Sequence, residues 1–249
     1  MDTAKLCVVM NVSLYQAASA LNANARWQEI ISQNLAASAV PGFKRQDLSF
    51  SAVAAAQAPN VMMPEAANIT NFQQGQIRPT SVATDVAIDG NGFFEVQLPG
   101  GQTGYTRDGE LKIDSSGQLV TKQGYPVQGD GGPVQLDLNN PAPISIAADG
   151  SVSQGGELKG QLKVVAFNEP RLLTPVGANY FVAKDPGLLP EPSSASVRQG
   201  FLEASNTSPV AEMAQLIAAM RHYEANQRVI QSQDERMGRA ISELGNPGA

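Results

Sequence analysis

The residues that could carry catalysis are few in this sequence. His222 is the single histidine and Cys7 the single cysteine, so these 249 residues cannot assemble a histidine-rich zinc centre or an internal disulfide framework. His222 stands beside Tyr223 in a helical pattern, off its apolar seam, and we expect an exposed side chain rather than a general base. The sequence offers no nucleophile paired with a base, and no enzymatic activity is expected.

Two further patterns resemble ligand sites without matching them. Gly90-Asn91-Gly92 begins like a dinucleotide-binding fingerprint, but Glu95 takes the place of the third glycine and a predicted strand follows instead of a helix. Several aspartates stand at predicted turns, without the spacing of a calcium loop, and there Asp side chains accept hydrogen bonds from nearby backbone. These aspartates are Asp85, Asp89, Asp108, Asp114 and Asp149. We therefore expect no cofactor and no metal.

Charge and hydropathy exclude two further classes of function. Lysine and arginine total 17 against 23 aspartate and glutamate, giving a net charge of −6 without the basic patch that nucleic-acid binding requires. No run of about 18 apolar residues is present, so we expect no membrane insertion. The apolar run from Leu6 to Met10 is shorter than the ~7 to 15 residues of a Sec-type signal peptide, so export would need another route.

A long helix is predicted near the start of the chain. The segment from Ser13 to Ala37 contains no proline or glycine, and its apolar and small residues recur at steps of three and four. Ser13 is the expected N-cap, and Pro41 with Gly42 is expected to stop the helix. At ~1.5 Å per residue this helix would span ~37 Å, which suggests that it reaches outward. Its apolar face includes Leu14, Leu21, Ile31 and Leu35.

A second helix with heptad spacing is predicted near the other end. Asn206, Thr207 or Ser208 would cap it, Pro209 suits its first turn, and Gly245 would end it. Its seam consists of Met213, Leu216, Met220, Tyr223, Gln227, Ile230, Asp234, Met237, Ile241 and Leu244. The polar members Gln227 and Asp234 are either tolerated there or fix the register of packing, and the spacing favours neither.

Between the helices the pattern changes to short β-rich runs separated by glycine-containing turns. The fold class expected is α+β, with terminal α-helices forming a coiled-coil-like layer and a central all-β domain of many short strands inserted between them. The expected domains are an extension at 1–9, a discontinuous helical assembly region at 10–50 and 201–249, an extended linker at 51–81, and the β domain at 82–200. Met10 is an alternative start of the protein.

The two apolar seams need neighbours, because isolated helices are marginally stable in water. One arrangement is a helical hairpin within the chain, packed on the β domain. The other is a lateral bundle shared with further copies of the chain. The length of the first helix and its small residues, which include Ala17, Ala18, Ala20 and Ala25, favour the second arrangement.

Several motifs together carry a resemblance to a known family. Residues 34–44, Asn-Leu-Ala-Ala-Ser-Ala-Val-Pro-Gly-Phe-Lys, resemble the Asn-Leu-Ala-Asn-x-Asn-Thr-Pro-Gly-[Phe/Tyr]-Lys signature of the flagellar rod and hook family of axial proteins. Ala37, Ala39 and Val40 depart from that signature. The family's opening Met-x-x-Ser-Leu-Tyr is matched by residues 10–15. Further matching segments are 89–94, 105–109, 117–120, 124–127, 200–206, 212–213 and 221–224.

The resemblance implies a non-enzymatic structural subunit of the flagellar basal body. Such a subunit is exported unfolded by the flagellar type III export apparatus and polymerises in the periplasmic rod with copies of itself and other rod proteins. Within the family, the length, Pro209 and the Asp234-Glu235 pair look more like the proximal than the distal rod member. A distal rod or hook-type protein is the alternative, and a cell-wall-binding β module with a helical dimerisation stalk is a weaker one.

The expected assembly interface lies on the two helices and their ends. Asn34 and Asn206 are expected to fix the helix ends. The other interface residues are Leu14, Leu21, Ile31, Leu35, Met213, Leu216, Met220, Tyr223, Ile230 and Met237.

Overall fold

The structure is a computed structural model of the 249-residue chain. It describes the backbone of residues 3–55, 58–177, 179–185 and 187–245, and the side chains of residues 18–49, 67–177, 179–185 and 187–242. Two long helices, α1 (Thr3–Ala36) and α2 (Pro209–Gly245), enclose a series of short strands in the sequence. The strands are β1 (Gln46–Ala55), β2 (Ala58–Thr70), β3 (Ile77–Pro79), β4 (Val86–Asp89), β5 (Phe93–Gln97), β6 (Thr103–Thr106), β7 (Leu111–Ile113), β8 (Leu119–Thr121), β9 (Gln128–Gly129), β10 (Gly132–Pro133), β11 (Ile144–Ile146), β12 (Ser151–Gln154), β13 (Glu157–Gln161), β14 (Val164–Ala166), β15 (Thr174–Val176), β16 (Tyr180–Val182), β17 (Glu191–Pro192), β18 (Ser196–Gln199) and β19 (Phe201–Glu203).

Helix α1 begins ten residues before the expected N-cap. The residues from Thr3 onward contain no proline or glycine, so nothing in the sequence stops the helix at Ser13, and this serine lies inside the helix. The N-cap prediction for Ser13 was therefore wrong. At its other end α1 stops at Ala36, and the chain turns through a Val40 N–H to Ala37 C=O hydrogen bond of 3.0 Å before reaching Pro41.

Helix α2 begins and ends where the sequence predicts. The Glu212 N–H donates to the Ser208 carbonyl at 2.9 Å, which makes Ser208 the residue that closes the first turn, with Pro209 directly after it. The acidic Glu212 lies in this first turn, where the helix dipole favours negative charge. The helix ends at Gly245. Among the residues that the structure describes, neither helix has a stretch long and apolar enough to cross a membrane.

The segment expected to be an extended linker forms strands instead. Strands β1 and β2 pair as a two-stranded sheet, and β3 pairs with β19, whose residues lie more than a hundred positions away in the sequence. The linker prediction for residues 51–81 was wrong because strand formation here depends on partners that weak local periodicity does not reveal.

Antiparallel pairing organises the middle of the chain. The largest sheet has six strands in the order β15-β16-β6-β5-β14-β17, and a three-stranded sheet has the order β11-β12-β13. Both edge strands of the six-stranded sheet contain a proline, Pro175 on one edge and Pro192 on the other. Proline on an edge strand opposes further strand pairing, because it lacks the N–H donor.

The six-stranded sheet buries apolar side chains on both faces. Adjacent residues of a strand point to opposite faces, so Phe93 and Phe94 of β5 enter two different clusters. The Phe93 cluster is largely aromatic, with edge-to-face packing such as Tyr105 against Phe167 at a centroid distance of 4.8 Å. The Phe94 cluster is larger and includes Val86, Ile88, Val96, Leu119, Val127, Val152 and Val182.

The chain divides into two compact units. The helical unit contains the chain up to Leu35, Gln46–Ile69 and the chain from Ser208 onward, and the β unit contains Ala36–Arg45 and Thr70–Thr207. The β unit therefore extends beyond the expected range of 82–200. It includes the segment that follows α1 and the segment that precedes α2, because both pair with its strands and loops.

Candidate functional site

A buried ion cluster lies within the β unit and joins three distant parts of the sequence. The Lys44 ammonium lies 2.5 Å from Glu203 Oε1, and an Arg107 guanidinium nitrogen lies 3.2 Å from Glu203 Oε2. The side chains of all three residues are at most 3% exposed. One carboxylate therefore faces two buried cations, an arrangement that depends on further hydrogen bonds to offset desolvation.

Backbone groups supply further hydrogen bonds to this cluster, although the buried Nε of Arg107 has no partner. Lys44 Nζ donates to the Gln73 carbonyl at 2.8 Å, and the Gly75 N–H donates to Glu203 Oε1 at 2.8 Å. Arg107 donates to the Gly90 carbonyl at 2.9 Å. Burial lowers the pKa of Lys44 and of Arg107, while the Glu203 carboxylate acts in the opposite direction on both.

Local chain geometry places the cluster residues. Gly42 has φ +68°, and a Cβ at this position would lie 2.4 Å from the Arg107 carbonyl carbon, so its glycine permits close approach of two backbones. The Gly42 N–H donates to the Glu203 carbonyl at 2.8 Å. Arg107 also stacks over the ring of Phe93 at 5.3 Å. Gly42, Arg107 and Glu203, which belong to three different sequence motifs, therefore fix one another's positions.

Asn206 extends the same network to the segment that precedes α2. Its side-chain oxygen accepts from the Arg45 N–H at 2.7 Å, and its side-chain amide donates to the carbonyls of Asn71 and Gln73 at 2.8 and 3.0 Å. The segment that precedes α2 is thus hydrogen-bonded directly to the segment that follows α1. Asn206 joins three backbone segments and lies two residues before the Ser208 carbonyl that closes the first turn of α2.

Asn179 adds a buried amide to the segment after α1. Its side chain donates to the Pro41 carbonyl at 3.0 Å and to an Asp108 carboxylate oxygen at 3.3 Å. Burial raises the pKa of Asp108, against the effect of the hydrogen bonds from the Glu110 N–H and Asn179. The Pro-Gly turn is therefore held from the strand side as well as by Glu203.

In the helical unit, the side-chain amide of Asn34 likewise joins separate segments of the chain. It is 1% exposed, accepts from the Gln46 N–H at 2.9 Å and donates to the Gln46 carbonyl at 2.7 Å. It also lies 3.4 Å from the buried carboxylate of Glu212. The last turn of α1 is thereby attached to the start of β1 and to the first turn of α2.

Helices α1 and α2 contact each other within one chain. Gln28 donates to the Ala219 carbonyl at 3.4 Å, and the rings of Trp27 and His222 lie 6.0 Å apart. Together with the Asn34–Glu212 contact, these pairs run in opposite directions along the two helices, which are therefore antiparallel here. His222 is exposed, as expected for a surface histidine.

The predicted interface residues divide into a covered and an open set. Ile31 is 1% exposed, and six are partly buried: Leu21, Leu35, Leu216, Tyr223, Ile230 and Met237. Met213 and Met220 are 53% and 52% exposed, and their neighbour Ile217 is 56% exposed. Leu14 lies outside the residues whose side chains the structure describes. The early part of α2 thus presents an open apolar face, here called the α2 face: Val210, Met213, Ile217 and Met220.

Sequence reasoning missed the charged residues at the centre of this site. Lys44, Arg107 and Glu203 each belong to a motif that carried the family resemblance, but the resemblance did not predict an ion cluster. Their apolar sequence neighbours, such as Phe43 and Leu202, are a usable signal, since a charge among apolar residues suggests burial with a partner.

The turn aspartates behave largely as expected. Asp108, Asp114 and Asp149 each accept hydrogen bonds from backbone N–H groups two residues further on, at 2.9 to 3.0 Å. Asp89 instead pairs with Arg198 at 3.4 Å. Among the described side chains, no three histidine, cysteine or acidic residues lie close enough together to hold a metal ion.

Fold and site define a class of α+β protein in which a β unit lies between two long helices in the sequence. Two family models match it: "Flagellar hook protein FlgE/F/G D1 domain" over residues 87–154, and "Flagellar basal body rod FlgEFG protein C-terminal" over residues 198–243. The first range contains Arg107 and the second contains Glu203. The matched segments thus supply two of the three members of the ion cluster.

Full-length relatives give the same result. The chain is 34% identical to the flagellar basal-body rod protein FlgG of Borreliella burgdorferi, covering 91% of this chain and 96% of that protein. It is 33% identical to FlgF of Caulobacter vibrioides, covering 95% and 99%, and 32% identical to FlgF of Escherichia coli, covering 93% and 97%. The chain belongs to the FlgF/FlgG-like family of flagellar basal-body rod proteins, a structural family and not one of enzymes.

Proposed function

We propose that this chain is a structural subunit of the flagellar basal-body rod that polymerises through its terminal helices. The observation that carries the proposal is the α2 face, whose four apolar residues are each more than half exposed. Full burial of an exposed side chain of this kind contributes about 1.5–3 kcal/mol, so covering the exposed half of one contributes about 0.7–1.5 kcal/mol. Copies of the same chain and other rod proteins are the partners, and the periplasmic rod is the location.

The sheet edges of the β unit also favour subunit contacts that form through the helices. Prolines on both edges of its largest sheet oppose growth of that sheet by strand addition. Subunit contacts then depend on side-chain surfaces and helices, in which a repeated contact that does not close produces a tube rather than a ring. The coiled-coil-like inner layer remains part of this proposal, as do the roles of Leu14, Leu21, Ile31 and Leu35 in it.

We further propose the proximal rod position, with export in unfolded form by the flagellar type III apparatus. The alignment with the Caulobacter FlgF covers 95% of this chain and 99% of that protein, against 91% and 96% for the Borreliella FlgG. This difference favours the FlgF-like assignment, while the comparable identity keeps the distal rod position as the alternative. The export proposal rests on membership in the family.

A charge placed on the α2 face tests the proposal. Met220→Glu would place a carboxylate at the contact, and burying an unpaired charge there should weaken assembly at least about tenfold. The fold of the monomer should be unaffected, because the side chain is exposed in the chain alone. The measurements are incorporation into purified basal bodies and swimming of the complemented strain.

Ala225→Glu is the matched control, since it adds the same charge at an exposed position of α2. Five residues of helix turn this position by about 140° around the axis from Met220, away from the α2 face. The control should assemble like the unaltered protein. Equal incorporation of both variants would show that the α2 face is not a subunit contact.

A further inference from the structure

The ion cluster brings together residues that are far apart in the sequence. Lys44 and Glu203 are separated by 159 positions, and Arg107 and Glu203 by 96. Among the described residues, Glu203 is the carboxylate that pairs with both cations. The β unit therefore places two buried cations in its earlier segments and their counter-charge in its last one.

The last segment of the β unit is also a structural closure. Strand β18 pairs with β4 and strand β19 with β3, while the Ala204 N–H donates to the Gln76 carbonyl at 2.8 Å. The Gly42 N–H and the Asn206 N–H join the same segment to the chain that follows α1. Residues 196–206 thus contact both the first and the middle parts of the unit.

The electrostatic consequence follows from burial. Without the Glu203 carboxylate, the Lys44 ammonium and the Arg107 guanidinium would be buried near each other with no compensating charge. The cost of that desolvation greatly exceeds the contribution of any single backbone hydrogen bond. A chain whose last segment has not yet docked cannot reach the native arrangement at Lys44 and Arg107.

We propose that Glu203 makes folding of the whole β unit conditional on docking of its C-terminal segment. Glu203 is a positioning residue in this proposal: its carboxylate permits burial of Lys44 and Arg107, and their burial holds the Pro-Gly turn and the Gly90 turn. The β unit then remains open until residues 196–206 are present.

This device suits a chain that is transported before it folds. Whichever end enters a narrow channel first, Lys44 and Glu203 pass through it at different times, so the β unit cannot close during passage. That consequence rests on the proposed export. The folding property itself goes beyond the proposed function and is measured on purified full-length protein.

The first test compares two neutralised glutamates in the full chain. Glu203→Gln keeps the shape and one hydrogen-bonding oxygen but removes the charge. Its melting temperature should fall by roughly 10 °C. Glu95→Gln is the matched control, because the Glu95 side chain is also largely buried, 11% exposed, while its partner Lys163 at 3.0 Å is 40% exposed and keeps contact with water. The control should shift by no more than a few degrees.

Hydrogen exchange distinguishes an effect of Glu203 on folding of the whole β unit from an effect confined to neighbouring residues. In Glu203→Gln, amide protection in β5, β6 and β16 should fall by the same factor as at Gly42 and Ala204. Loss of protection confined to residues 201–206, or a melting temperature equal to that of Glu95→Gln, would overturn the proposal.

A double variant tests the counter-charge directly. Lys44→Met together with Glu203→Gln removes one uncompensated cation, so it should melt at a higher temperature than Glu203→Gln alone. Simple loss of packing predicts the opposite order. A double variant less stable than Glu203→Gln would therefore overturn the electrostatic explanation.

Pulse-labelled refolding of the unaltered full-length protein tests the order of events. Amides of β5 and β6 should become protected with the same rate constant as Gly42 and Ala204. Native protection of β5 and β6 at a rate at least about tenfold faster would show that the unit folds without its last segment. None of these measurements involves assembly or export, so their failure would leave the proposed function standing.

Discussion

Buried or partly buried amide side chains attach backbone segments in both units. Asn34 pairs with both backbone groups of Gln46, and Asn206 pairs with the backbone of Arg45, Asn71 and Gln73. An amide side chain offers a donor and an acceptor on one rigid group, so it can replace a missing backbone partner. Expectations that these asparagines fix the helix ends remain predictions, and their geometry indicates how they would do so.

Replacing Asn34 should destabilise the helical unit. Asn34→Ala leaves the Gln46 N–H and carbonyl without their partner in a partly buried place, which should cost about 1–3 kcal/mol of the free energy of unfolding. The fluorescence of Trp27, the single tryptophan, reports this unit during denaturant unfolding. Gln33→Ala, one residue earlier and exposed, should change the free energy by less than about 0.5 kcal/mol. Equal effects of the two substitutions would contradict the role given to Asn34.

The turn between α1 and β1 is the element that carries the segment after the first helix into the β unit. Its glycine adopts a positive φ, and the neighbouring backbone of Arg107 and Asp108 leaves no room for a side chain. The family signature keeps Pro41 and Gly42 here, although Ala37, Ala39 and Val40 depart from it. Two residues that match the signature therefore make the contacts of this turn: Gly42 allows the close approach of the Arg107 backbone, and the Pro41 carbonyl accepts a hydrogen bond from Asn179.

A pair of glycine substitutions separates backbone strain from steric conflict. Gly42→Ala and Gly124→Ala both place an alanine at positive φ, +68° and +93°, with a strain cost of about 1–3 kcal/mol each. At Gly42 the new Cβ would also lie 2.4 Å from Arg107 and Asp108 backbone atoms, adding a further ~1–3 kcal/mol. At Gly124 nothing lies within 4 Å of that position. Calorimetric melting of both variants should place Gly42→Ala clearly lower, and equal melting temperatures would refute the close approach.

The molecule as a whole combines a β unit whose apolar core is buried within the chain with a helical unit that keeps an open apolar face. The core of the β unit is buried on both sides of its main sheet. On α2, Glu212 and Ala219 are 1% and 0% exposed, whereas Met213 and Met220 remain half exposed. Helix α2 thus has one row of residues that is buried within the chain and an adjacent row that is exposed and available to neighbouring molecules.

Removing α2 should separate these two properties. A chain ending at Thr207 keeps Glu203 and Asn206, so its β unit should unfold cooperatively at a temperature close to that in the full chain. The same truncated chain should fail to enter the rod, because it lacks the α2 face. Amide exchange of the β strands and analysis of purified basal bodies measure the two outcomes. Incorporation of the truncated chain would show that α2 is not required for assembly.

Several features of the fold could be read from local sequence. Heptad spacing, Pro209 and Gly245 marked α2, and glycine-containing turns marked most of the short strands. The pairs β1–β2 and β3–β19 were missed, because a short strand acquires its hydrogen bonds from a partner that can lie anywhere in the chain. The start of α1 was missed because a serine suited to capping is also tolerated inside a helix.

Local periodicity and the ordered set of motifs were sufficient for the presence of the two long helices, though not for the start of α1, and for the β-rich middle of the chain and the family. Both kinds of information are short-range and survive in a linear string. The convergence of Lys44, Arg107 and Glu203, and the rotation of α2 that covers Ala219 and exposes Met220, emerged only in three dimensions. Burial and charge compensation depend on neighbours that are distant in the chain, and no spacing rule encodes them.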